Sequence, residues 1–250
     1  MVEFTTSKDG TRIAYDVSGE GDPIIITGGA FNTRMSPGPL VGALDGAYRV
    51  VTWDRRGRGD SGNTLPYSIE REVEDLAALI EAFGGSVNVY GHSSGAILVL
   101  EAAMRGVGMR KIAVYEPPYT PGNMAAMAGV QEALDAGDPS LAAVTFVKGT
   151  GAENTDGLAQ SPWWPGMVAL ADTLPYDLAL VGDGVVPSDR LAAIDVPLIV
   201  MDGGDSPKWA ADASIAIETA VEDGTRVTLE GQTHNVAPDA LAPILLEFFA

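Results

Sequence analysis

Cysteine is absent and histidine occurs only twice in 250 residues. Without thiols there is no disulfide framework and no thiolate metal site, and two imidazoles leave little room for a histidine-based zinc centre, so no metal is expected. Cationic side chains are scarce as well: 15 Lys and Arg stand against 34 Asp and Glu, a formal net charge of -19. Nucleic acids and anionic membrane surfaces both need a basic face to recover the electrostatic part of binding, which argues against either as a partner. A small neutral or cationic molecule fits better. No apolar run approaches the roughly 18 residues of a membrane span, and residues 1–11 are polar, without the apolar core of a secretory leader. The expectation is a cytoplasmic enzyme without a cofactor, built on one sizeable core.

What the chain does have is glycine, 30 residues of it, placed where it matters. An apolar β-branched run enters Gly91-His92-Ser93-Ser94-Gly95, and a small-residue, Leu-rich run leaves it. Strand, sharp turn and helix are the context in which Gly-x-Ser-x-Gly exposes a nucleophile: the turn strains the serine backbone, and side chains two residues to either side would collide with neighbouring elements. Ser93 is therefore the candidate nucleophile. His92, inside the motif, is expected to be structural.

Around this stretch the chain alternates strands with helices, which implies parallel βαβ units. Residues 2–5 and 12–17 read as an N-terminal hairpin, 24–26 and 49–53 as strands, 111–115 and 196–201 as further strands, and 226–229 as the last. Apolar residues recur at helical spacing from Ile69 to Phe83, with Ser68 as cap and Gly84-Gly85 as stop. Helices are expected near 209–221 and over 238–249. The 24–26 strand ends in Thr27-Gly28-Gly29-Ala30-Phe31, which taken alone reads as a tight turn but, set beside an elbow, offers free amides as candidate oxyanion donors. The 49–53 strand ends in Asp54-Arg55-Arg56-Gly57-Arg58-Gly59-Asp60-Ser61, where arginines beside Asp54 and Asp60 are expected to pair internally and hold the loop in shape.

From Glu116-Pro117-Pro118 to about Pro187 the alternation stops. Met124, Met127, Val130 and Leu134 share one helical face, Leu141, Val144, Phe146 and Val147 mark another, and Trp163-Trp164 lies between Pro and Gly breaks. The organisation expected is a core of residues 1–116 and 188–250 with a helical cap inserted at 117–187. A cap must turn apolar surface towards its cleft, which makes Trp163 and Trp164, with Phe31 below them, the candidate substrate contacts.

Serine, acid and histidine then occur in the order Ser93, Asp205, His234, each after a predicted strand, and in a parallel sheet those ends share one edge. The motifs at 54–61, 91–95 and Gly231-Gln232-Thr233-His234 resemble those of the α/β-hydrolase superfamily, in its serine esterase, lactonase and cofactor-free haloperoxidase-like branch, and the likeness runs nearly end to end. The resemblance implies an α/β fold with a mostly parallel central sheet. It also implies Ser93 as nucleophile, His234 as general base and then acid, Asp205 as the residue orienting the imidazole, and the amides of Ala30 and Ser94 as oxyanion hole. Two features depart from the family pattern: Gly28-Gly29 stands where many relatives have His-Gly, and the 202–205 turn carries two aspartates. Glu116 is the alternative acid, although the two prolines after it suit an anchoring role. The implied activity is cleavage of a small or medium ester, lactone or related acyl bond, or else a lyase, cyclase or perhydrolase step on the same fold.

Overall fold

The structure is a computed structural model that describes residues 1–121, 124–150 and 155–250. The side chains of residues 122–127, Met124 and Met127 among them, lie outside the described part.

The hairpin expected at the N-terminus is β1 (Glu3–Thr6) and β2 (Arg12–Ser18), paired antiparallel. Next come β3 (Pro23–Thr27), α1 (Gly38–Leu44), β4 (Arg49–Trp53), α2 (Ile69–Ala82), β5 (Val87–His92), α3 (Ser94–Met104) and β6 (Met109–Tyr115). Between β6 and the next strand the described residues hold only helices: α4 (Met124–Asp135), α5 (Pro139–Gly149), α6 (Trp164–Ala169), α7 (Leu174–Val181), α8 (Ser188–Leu191) and two 3₁₀ turns. The chain closes with β7 (Leu198–Gly203), α9 (Lys208–Ala220), β8 (Gly224–Leu229) and α10 (Pro238–Phe249). The eight strands form one sheet in the order β1-β2-β4-β3-β5-β6-β7-β8, parallel from β4 to β8.

Successive side chains of a strand point to opposite faces, and β3 shows what each face buries. Ile24 and Ile26 pack with Leu40 and Leu44 of α1 and with Leu241, Leu245 and Phe249 of α10. Ile25 joins Leu76 and Leu79 of α2 and Ile97 of α3 on the other side. Burial on both faces accounts for the unbroken apolar runs of the central strands. A third cluster, Val130, Ala133, Ala142, Ala171, Leu174 and Leu178, lies within the segment between β6 and β7, and Ala30 and Phe31 of the core pack against it.

Ser68 caps α2 as its sequence indicates, accepting from the Arg71 amide. Helix α1 is invisible in the sequence because Gly38, Pro39 and Gly42 dominate a seven-residue element; burial of Leu40 and Leu44, not propensity, holds it. The arginines of the 54–61 loop do pair internally, but not with Asp54 and Asp60, which bind Arg34 instead. Arg55 forks onto Glu72 and Arg56 onto Asp75, both on α2, and Arg58 reaches Asp177 on α7. Bidentate guanidinium-carboxylate pairs of this kind fix geometry in a way a lysine could not.

Candidate active site

Three residues other than glycine have positive φ among the described residues: Phe31 (58°), Ser93 (57°) and Glu116 (44°). Such conformations cost of order 1–3 kcal/mol each and persist only where the surroundings impose them. All three follow strands, β3, β5 and β6, that are neighbours in the sheet, and so meet at its carboxyl edge.

Ser93 sits between β5 and α3 with φ 57° and ψ -130°, its amide bonded to the Tyr115 carbonyl. The glycines around it are required by contact. A Cβ on Gly95 would lie 2.4 Å from the Thr27 carbonyl oxygen, and one on Gly29 would lie 2.7 Å from Cβ of Ser93. Because Gly29 has no side chain, the loop after β3 can pass directly beside the serine.

His234 lies on the loop after β8. Its Nε2 is 3.0 Å from Ser93 Oγ, and its Nδ1 is 2.7 Å from Oε2 of Glu116. A carboxylate can only accept, so Nδ1 carries the proton and Nε2 is left to accept from the serine hydroxyl. The loop is held from below by two side chains: the Tyr115 hydroxyl donates to the Thr233 carbonyl (2.7 Å), and His92 Nε2 lies 2.9 Å from the His234 carbonyl. Trp209, at the start of α9, sets its ring edge-on to the imidazole with centroids 5.8 Å apart. Nothing in the local sequence marks Tyr115 or Trp209, since each contributes through an element remote along the chain.

The acid is where structure and sequence part. Glu116, not Asp205, faces His234. Its side chain is fully buried, and burial alone would raise its carboxyl, but the hydrogen bonds from His234 and from the Gly203 amide (2.8 Å, to Oε1) outweigh that and hold it below its ordinary value. Asp205 is exposed, and among the described residues its carboxylate makes no bond to the imidazole; its amide bonds the Gln232 carbonyl. The other aspartate of that turn, Asp202, is occupied by Arg226 through two bonds of 2.7 and 2.9 Å. The turn after β7 thus supplies not the carboxylate but a backbone donor that orients it.

The amides of Ala30 and Ser94, the expected oxyanion donors, bond to no acceptor among the described residues. Ser94 opens α3, where the first amides have no intrahelical partner and the helix dipole favours negative charge. Phe31 contacts Phe146 of α5 edge-on, centroids 5.4 Å apart. The tryptophans are placed differently from expectation: Trp163 is 76% exposed, and neither Trp163 nor Trp164 has a ring contact with Ser93, His234 or Glu116 among the described residues. Proline in the first turn of α6 fixes the helix start, and this leaves Trp163 outside the helix as its flanking residue.

Burial, together with the neighbouring His234 ring, pushes the His92 imidazole down from 6.5 to about 4. A folded-state value below the unfolded one means that between those two pH values the unfolded chain binds a proton that the folded chain refuses. This contribution to stability is complete above 6.5 and is lost as pH falls towards 4. In His92→Gln the melting temperature should consequently decline less between pH 7 and pH 4.5 than in the parent protein. Identical declines would show that His92 does not couple folding to pH.

Fold and edge geometry together define a class, and comparison with known proteins agrees. The chain belongs to the α/β-hydrolase family, whose model matches residues 24–244. It is similar to the crystal structure of an alpha/beta hydrolase from Sphaerobacter thermophilus, with 44% identity and a TM-score of 0.92, covering 99% of this chain and 100% of that one. A non-heme haloperoxidase of Rhodococcus erythropolis is 30% identical over 247 residues, 90% of this chain and 87% of that protein. The likeness to the proline iminopeptidase PfmaB of Pestalotiopsis fici, 32% identical over 112 residues, spans only 42% of this chain and 40% of that relative. No helix among the described residues is long and apolar enough to cross a membrane.

Proposed function

We propose that the protein is a cytoplasmic serine hydrolase that cleaves a small or medium ester, lactone or related acyl bond without a cofactor. The observation that carries this reading is the continuous chain from Ser93 Oγ through the imidazole of His234 to Glu116, at 3.0 and 2.7 Å. In this reading Nε2 of His234 takes the hydroxyl proton as Ser93 Oγ bonds to the acyl carbon. The carbonyl oxygen becomes an oxyanion held by the amides of Ala30 and Ser94. Glu116, charged and fixed by the Gly203 amide, stabilises the imidazolium and keeps the proton on Nδ1. Nε2 then returns its proton to the departing alkoxide, leaving Ser93 acylated. Water repeats the sequence, with His234 as base, and releases the acid.

The segment 117–187 acts as a cap in this proposal, and Phe146, packed on Phe31 beside the oxyanion loop, limits the acyl chain. Phe146→Ala should raise kcat/KM for an acyl chain several carbons longer than the preferred one by about tenfold or more, the scale of one or two added methylenes in an apolar pocket. Trp163→Ala, at an exposed position, should leave the profile as it was. A p-nitrophenyl ester series from acetate to decanoate reads both; an unchanged profile in Phe146→Ala would remove that side chain from the acyl site. The same series, run with detection of an acylated Ser93 by intact mass, tests the reading as a whole. A second reading, perhydrolysis, has support in the similarity to the Rhodococcus haloperoxidase: hydrogen peroxide in place of water would carry the acyl group off Ser93 as a peracid.

A further inference from the structure

Beneath the oxyanion loop lies a sealed group of charged side chains that the proposed chemistry does not use. Arg55, Arg58, Glu72 and Asp177 are each no more than 2% exposed, and their formal charges cancel. Such a quartet is a weaker source of stability than apolar side chains of the same volume, so the informative question is what it holds. Asp177 belongs to α7, in the segment between β6 and β7, and is the lone acid in the otherwise largely apolar run Leu174–Val181. Its carboxylate accepts from Arg58 Nη2 at 2.8 and 2.7 Å, from Arg55 Nη1 at 2.7 Å and from the Ser94 hydroxyl at 2.6 Å. Arg55 Nη1 also donates to the Ser94 hydroxyl at 3.2 Å. Arg58 Nη1 donates to the Gly29 carbonyl at 2.6 Å.

These contacts converge on the two peptide groups that face the nucleophile. The Gly29 carbonyl and the Ala30 amide belong to one rigid planar unit. A guanidinium bonded to the carbonyl therefore fixes the direction of the N–H, which points the opposite way within the same plane. It also polarises the unit so that the N–H becomes a stronger donor. Ser94 carries the other amide, and its side chain is gripped by the same Asp177. Arg58 adopts this position at a cost, because its buried Nε has no hydrogen-bond partner among the described residues; among them the fork is set by Asp177 and Gly29.

Building on the serine hydrolase reading, we propose that Asp177 and Arg58 are positioning residues for the oxyanion hole: the α7 carboxylate orients Arg58 and Ser94, and through them the amides of Ala30 and Ser94. The segment above the site would thereby set the donor geometry as well as cover the cleft, and a displacement of α7 would weaken both donors together.

Two charge-conserving variants test this. Arg58→Lys keeps the cation but loses the fork that spans Asp177 and Gly29, and Ser94→Ala keeps the amide but loses the hydroxyl that Asp177 holds. Each is compared with the parent protein on a matched ester and thionoester of the same acyl group, because a thiolate-like sulfur gains little from oxyanion donors that an alkoxide-like oxygen needs. The ratio of the two kcat/KM values does not depend on the folded fraction of a preparation, so a loss of stability cannot imitate the effect. The ester-to-thionoester ratio should fall by about tenfold in Arg58→Lys, less than the 10² to 10³ expected for outright removal of a donor, and should fall measurably in Ser94→Ala. A fall in either variant supports the proposal; ratios equal to the parent's in both overturn it. If the parent protein turns over neither substrate, the hydrolase reading fails first and takes this proposal with it.

Discussion

Glu116→Gln should lower kcat on an activated ester by roughly 10⁴, the scale seen when a triad carboxylate is amidated, whereas Asp205→Asn should stay close to the parent protein. The loss follows from the two bonds Glu116 makes. The Gly203 amide can only donate, and it points at Oε1; in the glutamine variant the side-chain oxygen must stay there to satisfy it. The amide nitrogen is then turned towards Nδ1 of His234. Since that nitrogen also donates, Nδ1 has to accept, and the imidazole proton moves to Nε2, facing Ser93. A histidine in that tautomer cannot take the serine proton. The fold should survive, because glutamine matches glutamate in shape and both buried bonds remain paired. Steady-state kinetics and a melting curve on the two variants decide the matter: a nearly inactive Asp205→Asn beside an active Glu116→Gln would return the acid to the turn after β7.

The second large effect concerns the serine and histidine acting as a unit. Ser93→Ala and His234→Ala should each reduce kcat by about 10⁶, and the double variant should be scarcely worse than either, the non-additivity expected when one group is useless without the other. That scale comes from a well-characterised serine protease. Multiplicative losses in the double variant would mean that the two side chains act in separate steps, which the 3.0 Å contact between Oγ and Nε2 argues against.

The candidate nucleophile and the candidate base are legible in the sequence because each is marked locally. Ser93 is flanked by Gly95, whose absent side chain leaves room for the Thr27 and Gly28 carbonyls, and by Gly91, whose absent side chain leaves room for the Gly95–Ala96 backbone, and His234 follows the last strand in a glycine-containing loop. The acid is not marked in this way. Two adjacent strands, β6 and β7, both end near carboxylates, and which one turns towards the imidazole is decided by backbone at a distance: the positive φ of Glu116 and the Gly203 amide, 87 residues further along. The prolines after Glu116 point to an anchor, and the residue is indeed fixed, but against His234. Asp177 is hidden for the same reason, lying 122 residues from Arg55 and 119 from Arg58; a single acid in an apolar helix signals a buried partner without naming it. The sheet, by contrast, follows from apolar runs and alternation that need no long-range knowledge, whereas α1, poor in helix formers, escapes that reading, as do the short helices α6, α7 and α8.

Whether Ser93 is an activated nucleophile is tested most directly by intact-mass and peptide mapping after exposure to a fluorophosphonate. One adduct per chain, located on Ser93, slowed in Glu116→Gln and absent from Ser93→Ala, is the result expected. An unlabelled parent protein, or an adduct that persists on the Ser93→Ala chain, would contradict it.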